Sequence, residues 1–409
     1  MIKSLLHSRK ELTQQTIVLL ISQILGMALA ISLDIFNTRI LGREAFGTFT
    51  FINTLVFSLL LFFDFGIFSS GSRLLALVKN KDDERSMMGL LFLITLVIGF
   101  VFSITIFISS FFVDSLFSVR IEKELQLISF LVFIFPFQAL IPMICRGSNL
   151  IFALAIYNIF PKVVYLLLIF MFISQINFMI SFVLFALSVI VGSILILLYL
   201  KPNLRNCEEN YTLLKNEVKS YGMKIYSGNI FGNLSQYADR FLITLFMNTS
   251  ALGAYSLAYR ISSPLKLVSQ SLSVAAFREF TDSKKIDMNI FKLNIVLLVV
   301  SSLLLILFTP LIVDLFFGET FAEIKILIPV LALGIFFTGL TQPINSFLGA
   351  KKKGDYVRNI AIISPLINIA LNCILVPVFG LFGAAISLVA GCFANLLFHI
   401  FYYKKTITE

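Results

Sequence analysis

Four cations stand where a bilayer tolerates them least. Lys162, Arg240, Arg260 and Lys266 each fall inside an apolar run about long enough to cross a membrane. A charge at the bilayer centre costs about 2.5–3.5 kcal/mol on insertion scales. Four of them in lipid would cost about 10–14 kcal/mol, as much as the stability of a whole domain. These side chains must therefore face water, an acid or a ligand.

Helical phase says which neighbours share their faces. Around Arg240, the residues Asn229, Asn233, Gln236, Arg240 and Thr244 step by 4, 3, 4 and 4 and form one polar stripe. Gly228, Gly232, Ser235 and Asp239 form the adjoining small-residue stripe, so the sequence neighbours Asp239 and Arg240 point to different faces. Asp239 is expected to pack against another helix as a structural partner, and Gly228-x-x-x-Gly232 to be a packing contact. In the next span, Ser256, Tyr259, Ser263, Lys266 and Gln270 repeat the pattern beside Arg260. Shorter stripes run through Thr338, Gln342 and Asn345, and through Ser364, Asn368 and Asn372; Lys162 lies between Asn158 and Tyr165. Asp34 and Asp64 are the acids available for ion coupling. Single Ser and Asn residues in such stripes serve mainly to join helices.

The elements that must position these groups follow from composition. The chain has 409 residues, 58% hydrophobic and 13% charged, where a soluble chain carries about a quarter charged residues. Twelve apolar runs of about twenty residues predict an all-α polytopic membrane protein. Of the 32 Lys and Arg, 23 fall on the side of the N-terminus, 5 on the opposite side and 4 within spans, which predicts both termini cytoplasmic. That bias also accounts for the net charge of +10 and removes the case for nucleic acid. Lys351-Lys352-Lys353 reads as a topology anchor, and Asp82-Asp83-Glu84 as a solvated loop face. Residues 13–36 read as a retained first span, despite the Ala28-Leu29-Ala30 that resembles a cleavage site. Cys145, Cys207, Cys373 and Cys392 show no CxxC spacing and read as packing residues. With histidine only at His7 and His399, no histidine metal or catalytic cluster is available, and no cofactor is expected. "GAKKKG" (349–354) lacks the spacing of a phosphate-binding P-loop.

The chain also repeats itself. "SLDIFNTRILGREAFGTFTF" (32–51) and "YADRFLITLFMNTSALGAYSLAY" (237–259) align Phe46-Gly47-Thr48-Phe49 with Leu252-Gly253-Ala254-Tyr255. "VDSLFS" (113–118) matches "VDLFFG" (313–318). An offset of six spans, an even number, makes this a parallel repeat about an axis along the membrane normal. It predicts two six-helix lobes around a central cavity, residues 1–200 and 225–409, joined by a cytoplasmic linker at 201–224.

The "ADRFLI…LGAYSLAYRI" block, the twelve spans and the basic linker resemble the polysaccharide and O-antigen flippases of the multidrug/oligosaccharidyl-lipid/polysaccharide exporter superfamily. The resemblance implies a transporter rather than an enzyme, acting by alternating access in the bacterial inner (cytoplasmic) membrane during O-antigen, lipopolysaccharide or related biosynthesis. It implies an undecaprenyl-pyrophosphate-linked oligosaccharide as substrate, membrane lipid around it, and other polysaccharide-assembly proteins as partners. Arg bonds phosphate oxygens in bidentate fashion and Lys supplies a point charge. The pyrophosphate is therefore expected on a ladder of Lys162, Arg240, Arg260 and Lys266, with the glycan on Tyr259, Asn233, Gln236, Gln342 and Asn345. The alternative, a multidrug cation antiporter of the same superfamily, calls for carboxylates rather than cations at the midplane. The lipid II flippase branch adds two further spans, and a membrane polymerase or ligase needs a large external loop that this sequence lacks.

Overall fold

A computed structural model describes residues 2–351 and 353–408, with the side chains of residues 2–13, 231, 234–236, 278 and 282 outside the described set. The described residues form helices joined by short connections, with no strand among them. In chain order the helices are α1 (Ile2–Leu60), α2 (Ile67–Leu77), α3 (Lys81–Phe117), α4 (Glu122–Ser129), α5 (Phe135–Gly147), α6 (Ile151–Met171), α7 (Phe178–Leu200) and α8 (Cys207–Glu217). There follow α9 (Met223–Phe246), α10 (Thr249–Ser262), α11 (Leu265–Ala275), α12 (Phe277–Asp282), α13 (Met288–Phe316), α14 (Ile324–Ala350) and α15 (Gly354–Thr408). Seven helices are long and apolar enough to cross a membrane, eight with the bent α4–α5 pair. Two of these hold two crossings each: α1 breaks at Gly42 (φ 73°) and α15 at Gly380 (φ 58°), both in backbone conformations that favour glycine. The α9 and α10–α11 segments bring the crossings to twelve; α9 carries a polar stripe, and α10 and α11 are each too short to cross alone.

The chain divides into two compact units, Met1–Gly42 with Leu55–Asn229, and Arg43–Thr54 with Ile230–Glu409. In the first, the segment after α7 is docked rather than free. The Asn203 N–H donates to the Arg85 carbonyl at 3.1 Å, the Ser86 hydroxyl to the Arg205 carbonyl, and the Asn210 amide to Ser86 at 2.8 Å. Arg73 pairs with Glu217 at 2.5 Å and lies over the Tyr221 ring. Asn80 caps α3 by accepting from the Asp82 N–H. Asp82, Asp83 and Glu84 thus occupy the first helical turn, where their charge opposes the helix dipole, rather than a loop.

In the second unit, Arg43–Thr54 is held by both charge and packing. Arg43 donates to Ser250 (2.8 Å), to the Thr320 carbonyl (3.1 Å) and through two nitrogens to Glu323. Phe46 meets Phe321 and Phe51 meets Phe241 edge-on. Gly47 and Gly253, which the internal repeat aligns, lie against each other: a Cβ on Gly253 would sit 3.0 Å from the Gly47 Cα. The second repeat match is also structural. Asp114 accepts from the Ile121 N–H at 2.9 Å across the turn after α3, and Asp314 pairs with Lys325 at 2.5 Å across the turn after α13. Each helix is followed by a residue at positive φ, Ser118 and Gly318.

A side chain at Gly47 would run into the Thr249 carbonyl and come within 2.8 Å of the Ser250 Cα, both backbone. Gly47→Val is therefore expected to destabilise by about 1–3 kcal/mol. Gly228→Ala, which enters open space, should leave stability unchanged or raise it slightly. Thermal unfolding of the purified variants in detergent checks this, and equal midpoints for the two would contradict the packing.

Candidate functional site

Several polar groups of the second unit line a cavity of about 220 Å³. It is lined by Gly232 of α9, Tyr259 of α10, Lys266 of α11, Thr338 of α14, and Ser364, Asn368, Cys392 and Asn395 of α15. Pro264, which removes a backbone donor and crowds the preceding turn, separates α10 from α11. The stripe Ser256–Gln270 is thus not one continuous helix, yet Tyr259 and Lys266 still reach the same cavity. Thr338 donates to the Cys392 sulfur at 3.3 Å, so Cys392 is a polar wall residue rather than simple packing. Gly228 and Gly232 have nothing within 4 Å of a Cβ; among the described residues they are not the packing contact that their spacing suggests.

Asp239 is buried, 3% exposed, and tied to two other helices. Its carboxylate accepts from the Tyr255 hydroxyl at 3.4 Å and from the Asn372 amide at 2.8 Å, joining α9, α10 and α15. Asn372 in turn donates to Asn368 at 3.0 Å. Arg240 turns another way, half-buried with its guanidinium 5.7 Å from the Tyr237 ring centre. It shares a small hollow with Tyr255 and Tyr259. Arg260 is exposed in the last turn of α10.

The remaining predicted residues are placed separately. Lys162 belongs to the first unit, where its ammonium donates to the Asn158 carbonyl at 2.5 Å and lies beside Gly26 of α1. Asn233, Gln342 and Asn345 are half-buried in the second unit and do not line the 220 Å³ cavity. The side chain of Gln236 lies outside the described residues. Asp34 is buried in α1, three residues before Asn37, which bonds Tyr165 and Ser181 in a closed network. Asp64 accepts from the Phe68 N–H at 3.1 Å and caps α2 across the break at Phe65 and Gly66, so the helix of the second crossing is interrupted there. Sequence reasoning missed Asn395. Its signal was legible, because Ser387, Gly391, Asn395 and His399 step by four.

The profile of polysaccharide biosynthesis proteins matches residues 12–277, well over half of the chain. The chain belongs to that family. A second profile, that of the MatE transporters, matches residues 225–374. The chain is similar to a probable low-salt glycan biosynthesis flippase of Haloferax volcanii, 24% identical over 217 residues. That match covers 51% of this chain and 44% of the relative, so the chain spans under half of that relative's length. In fold it is similar to a multidrug resistance MATE family transporter of the MOP superfamily in an inward-facing conformation. The TM-score is 0.75 at 15% identity, covering 96% of this chain and 98% of that one. The lipid II flippase MurJ, in an inward closed conformation, gives 0.72 at 16% identity, covering 97% and 89%. These likenesses establish the twelve-helix, two-lobe membrane fold of the family.

Removing the Asp239 carboxylate would strand the Tyr255 hydroxyl and leave the Asn372 amide only its bonds to Asn368. Asp239→Leu is expected to lower stability by about 1–3 kcal/mol for each group left unpaired, and Asp239→Asn, which keeps one acceptor, by less. The ordering is read from thermal midpoints and the folded amount in the membrane. Normal stability with transport alone lost would assign Asp239 to coupling instead.

Proposed function

We propose that this protein is a flippase that carries an undecaprenyl-pyrophosphate-linked oligosaccharide, an O-antigen or related repeat unit, across the bacterial cytoplasmic membrane. The observation that carries this reading is the sign of the second unit's polar site. Its cations are Lys266 in the cavity, Arg240 in the neighbouring hollow and Arg260 at the exposed end of α10, while Asp239 is spent on helix-joining hydrogen bonds. Such a site suits an anionic head group. A cation antiporter, the alternative in this superfamily, needs the opposite polarity.

In the proposed cycle, residues 1–200 and 225–409 act as lobes that rock about a central cavity, with both termini cytoplasmic. The pyrophosphate passes along Arg260, Lys266, Arg240 and Lys162 while the polyprenyl tail stays in lipid. Tyr259, Asn233, Gln236, Gln342 and Asn345 contact the glycan. Asp34 and Asp64 are the acids proposed for ion coupling; the Asp64 carboxylate also caps α2. Other polysaccharide-assembly proteins would supply and consume the lipid-linked unit.

The test is complementation of a strain lacking its flippase. Arg260→Ala and Lys266→Ala should abolish complementation at normal membrane abundance, and Arg260→Lys should retain part of it. Full complementation by the double alanine variant would refute the role of the cations.

A further inference from the structure

The 220 Å³ cavity of the second unit holds two polar atoms that packing does not explain. The Ser364 hydroxyl oxygen and the Asn395 side-chain oxygen are buried without a hydrogen-bond partner. Ser364 is 5% exposed. Some hydroxyls of the same unit meet this need locally, by donating to the carbonyl four residues back: Ser262 to Ala258, Thr338 to Gly334 and Ser387 to Gly383. Ser364 does not. Ser256, Ser273, Ser283 and Ser302 lack a partner too, but none of these four lines the cavity. Buried polar groups in folded chains are overwhelmingly paired, and exceptions call for a reason. Inside a membrane the demand is stricter, since the surrounding lipid offers no partner.

The wall chemistry says what would pair them. Lys266 lines the same cavity and presents only donors. An ionised diphosphate satisfies Lys266 but, having only acceptors, leaves the Asn395 oxygen unmatched. A sugar ring has hydroxyls that both donate and accept, and the cavity has room for one ring rather than an oligosaccharide. We propose that this cavity reads the sugar that bears the phosphate: Lys266 holds a phosphate oxygen, while Ser364 and Asn395 bond hydroxyls of the adjoining ring. The inference rests on the flippase reading above and deepens it. Recognition of the first sugar lies within the second unit, in a pocket separate from the exposed Arg260.

Gly232 supplies the geometric control. It lines the cavity, and a Cβ there meets nothing within 4 Å, so a large side chain can fill the space without displacing backbone.

The experiment uses the purified full chain in nanodiscs, titrated with a hexose 1-phosphate, inorganic pyrophosphate or the free hexose, with thermal midpoint as the readout. Hexose 1-phosphate should stabilise most. Ser364→Ala and Asn395→Ala should each weaken it about tenfold while leaving pyrophosphate affinity unchanged. Because it deletes an unpaired atom, Ser364→Ala should not lower the midpoint without ligand. Lys266→Met should weaken both anions, and Gly232→Leu should abolish hexose 1-phosphate binding. Equal affinity for hexose 1-phosphate and pyrophosphate in the wild type, no shift with any ligand, or an unchanged affinity ratio in the Ser364 and Asn395 variants would overturn the proposal. Lys266-dependent pyrophosphate binding without sugar preference would overturn the pocket alone and leave the flippase reading standing, which the complementation test addresses separately.

Discussion

The carboxylate of Asp239 is the constraint from which the second unit's polar architecture follows. A buried acid inside a membrane span needs hydrogen-bond donors at fixed positions, and here they come from Tyr255 of α10 and Asn372 of α15. Three helices are thereby held in register around one group. Its sequence neighbour, about 100° further round the helix, is then directed elsewhere. Arg240 lies by Tyr237 and in the hollow shared with Tyr255 and Tyr259. Two adjacent opposite charges thus occupy separate environments, one hydrogen-bonded within the scaffold and one beside aromatic rings in the hollow.

Backbone proximity does for the external part of this unit what Asp239 does inside it. Gly47 and Gly253 permit an approach that no side chain would allow, and the Arg43 bonds to Ser250, Thr320 and Glu323 close over it. A segment that follows the first crossing in sequence therefore becomes part of the second unit.

Much of this was legible in the sequence. The separation of Asp239 from Arg240 required only helical phase, and the pairing of Tyr259 with Lys266 survived although the helix between them did not. The aligned pairs Gly47/Gly253 and Asp114/Asp314 were visible as a repeat, but not that the first pair touches. What failed did so for local backbone reasons. Pro264 breaks a run whose hydropathy is continuous, and Phe65 with Gly66 turns the chain under the Asp64 cap. The stripe through Ser387, Gly391, Asn395 and His399 was legible as a step of four, but its members are small or isolated among apolar residues and so were passed over. The docking of the segment after α7 depends on carbonyls and glycines, Asn203 against Gly89 and Gly66 against Gly222, which composition does not mark.

The proposed flippase function requires that a cationic, hydroxyl- and amide-lined site serve an anionic lipid head group. The direct measurement is transport by the purified protein in proteoliposomes, offered in parallel a fluorescent polyprenyl-diphosphate saccharide and a fluorescent organic cation. The account predicts translocation of the lipid-linked saccharide and none of the cation. Movement of the cation with the saccharide lipid left in its original leaflet would contradict it.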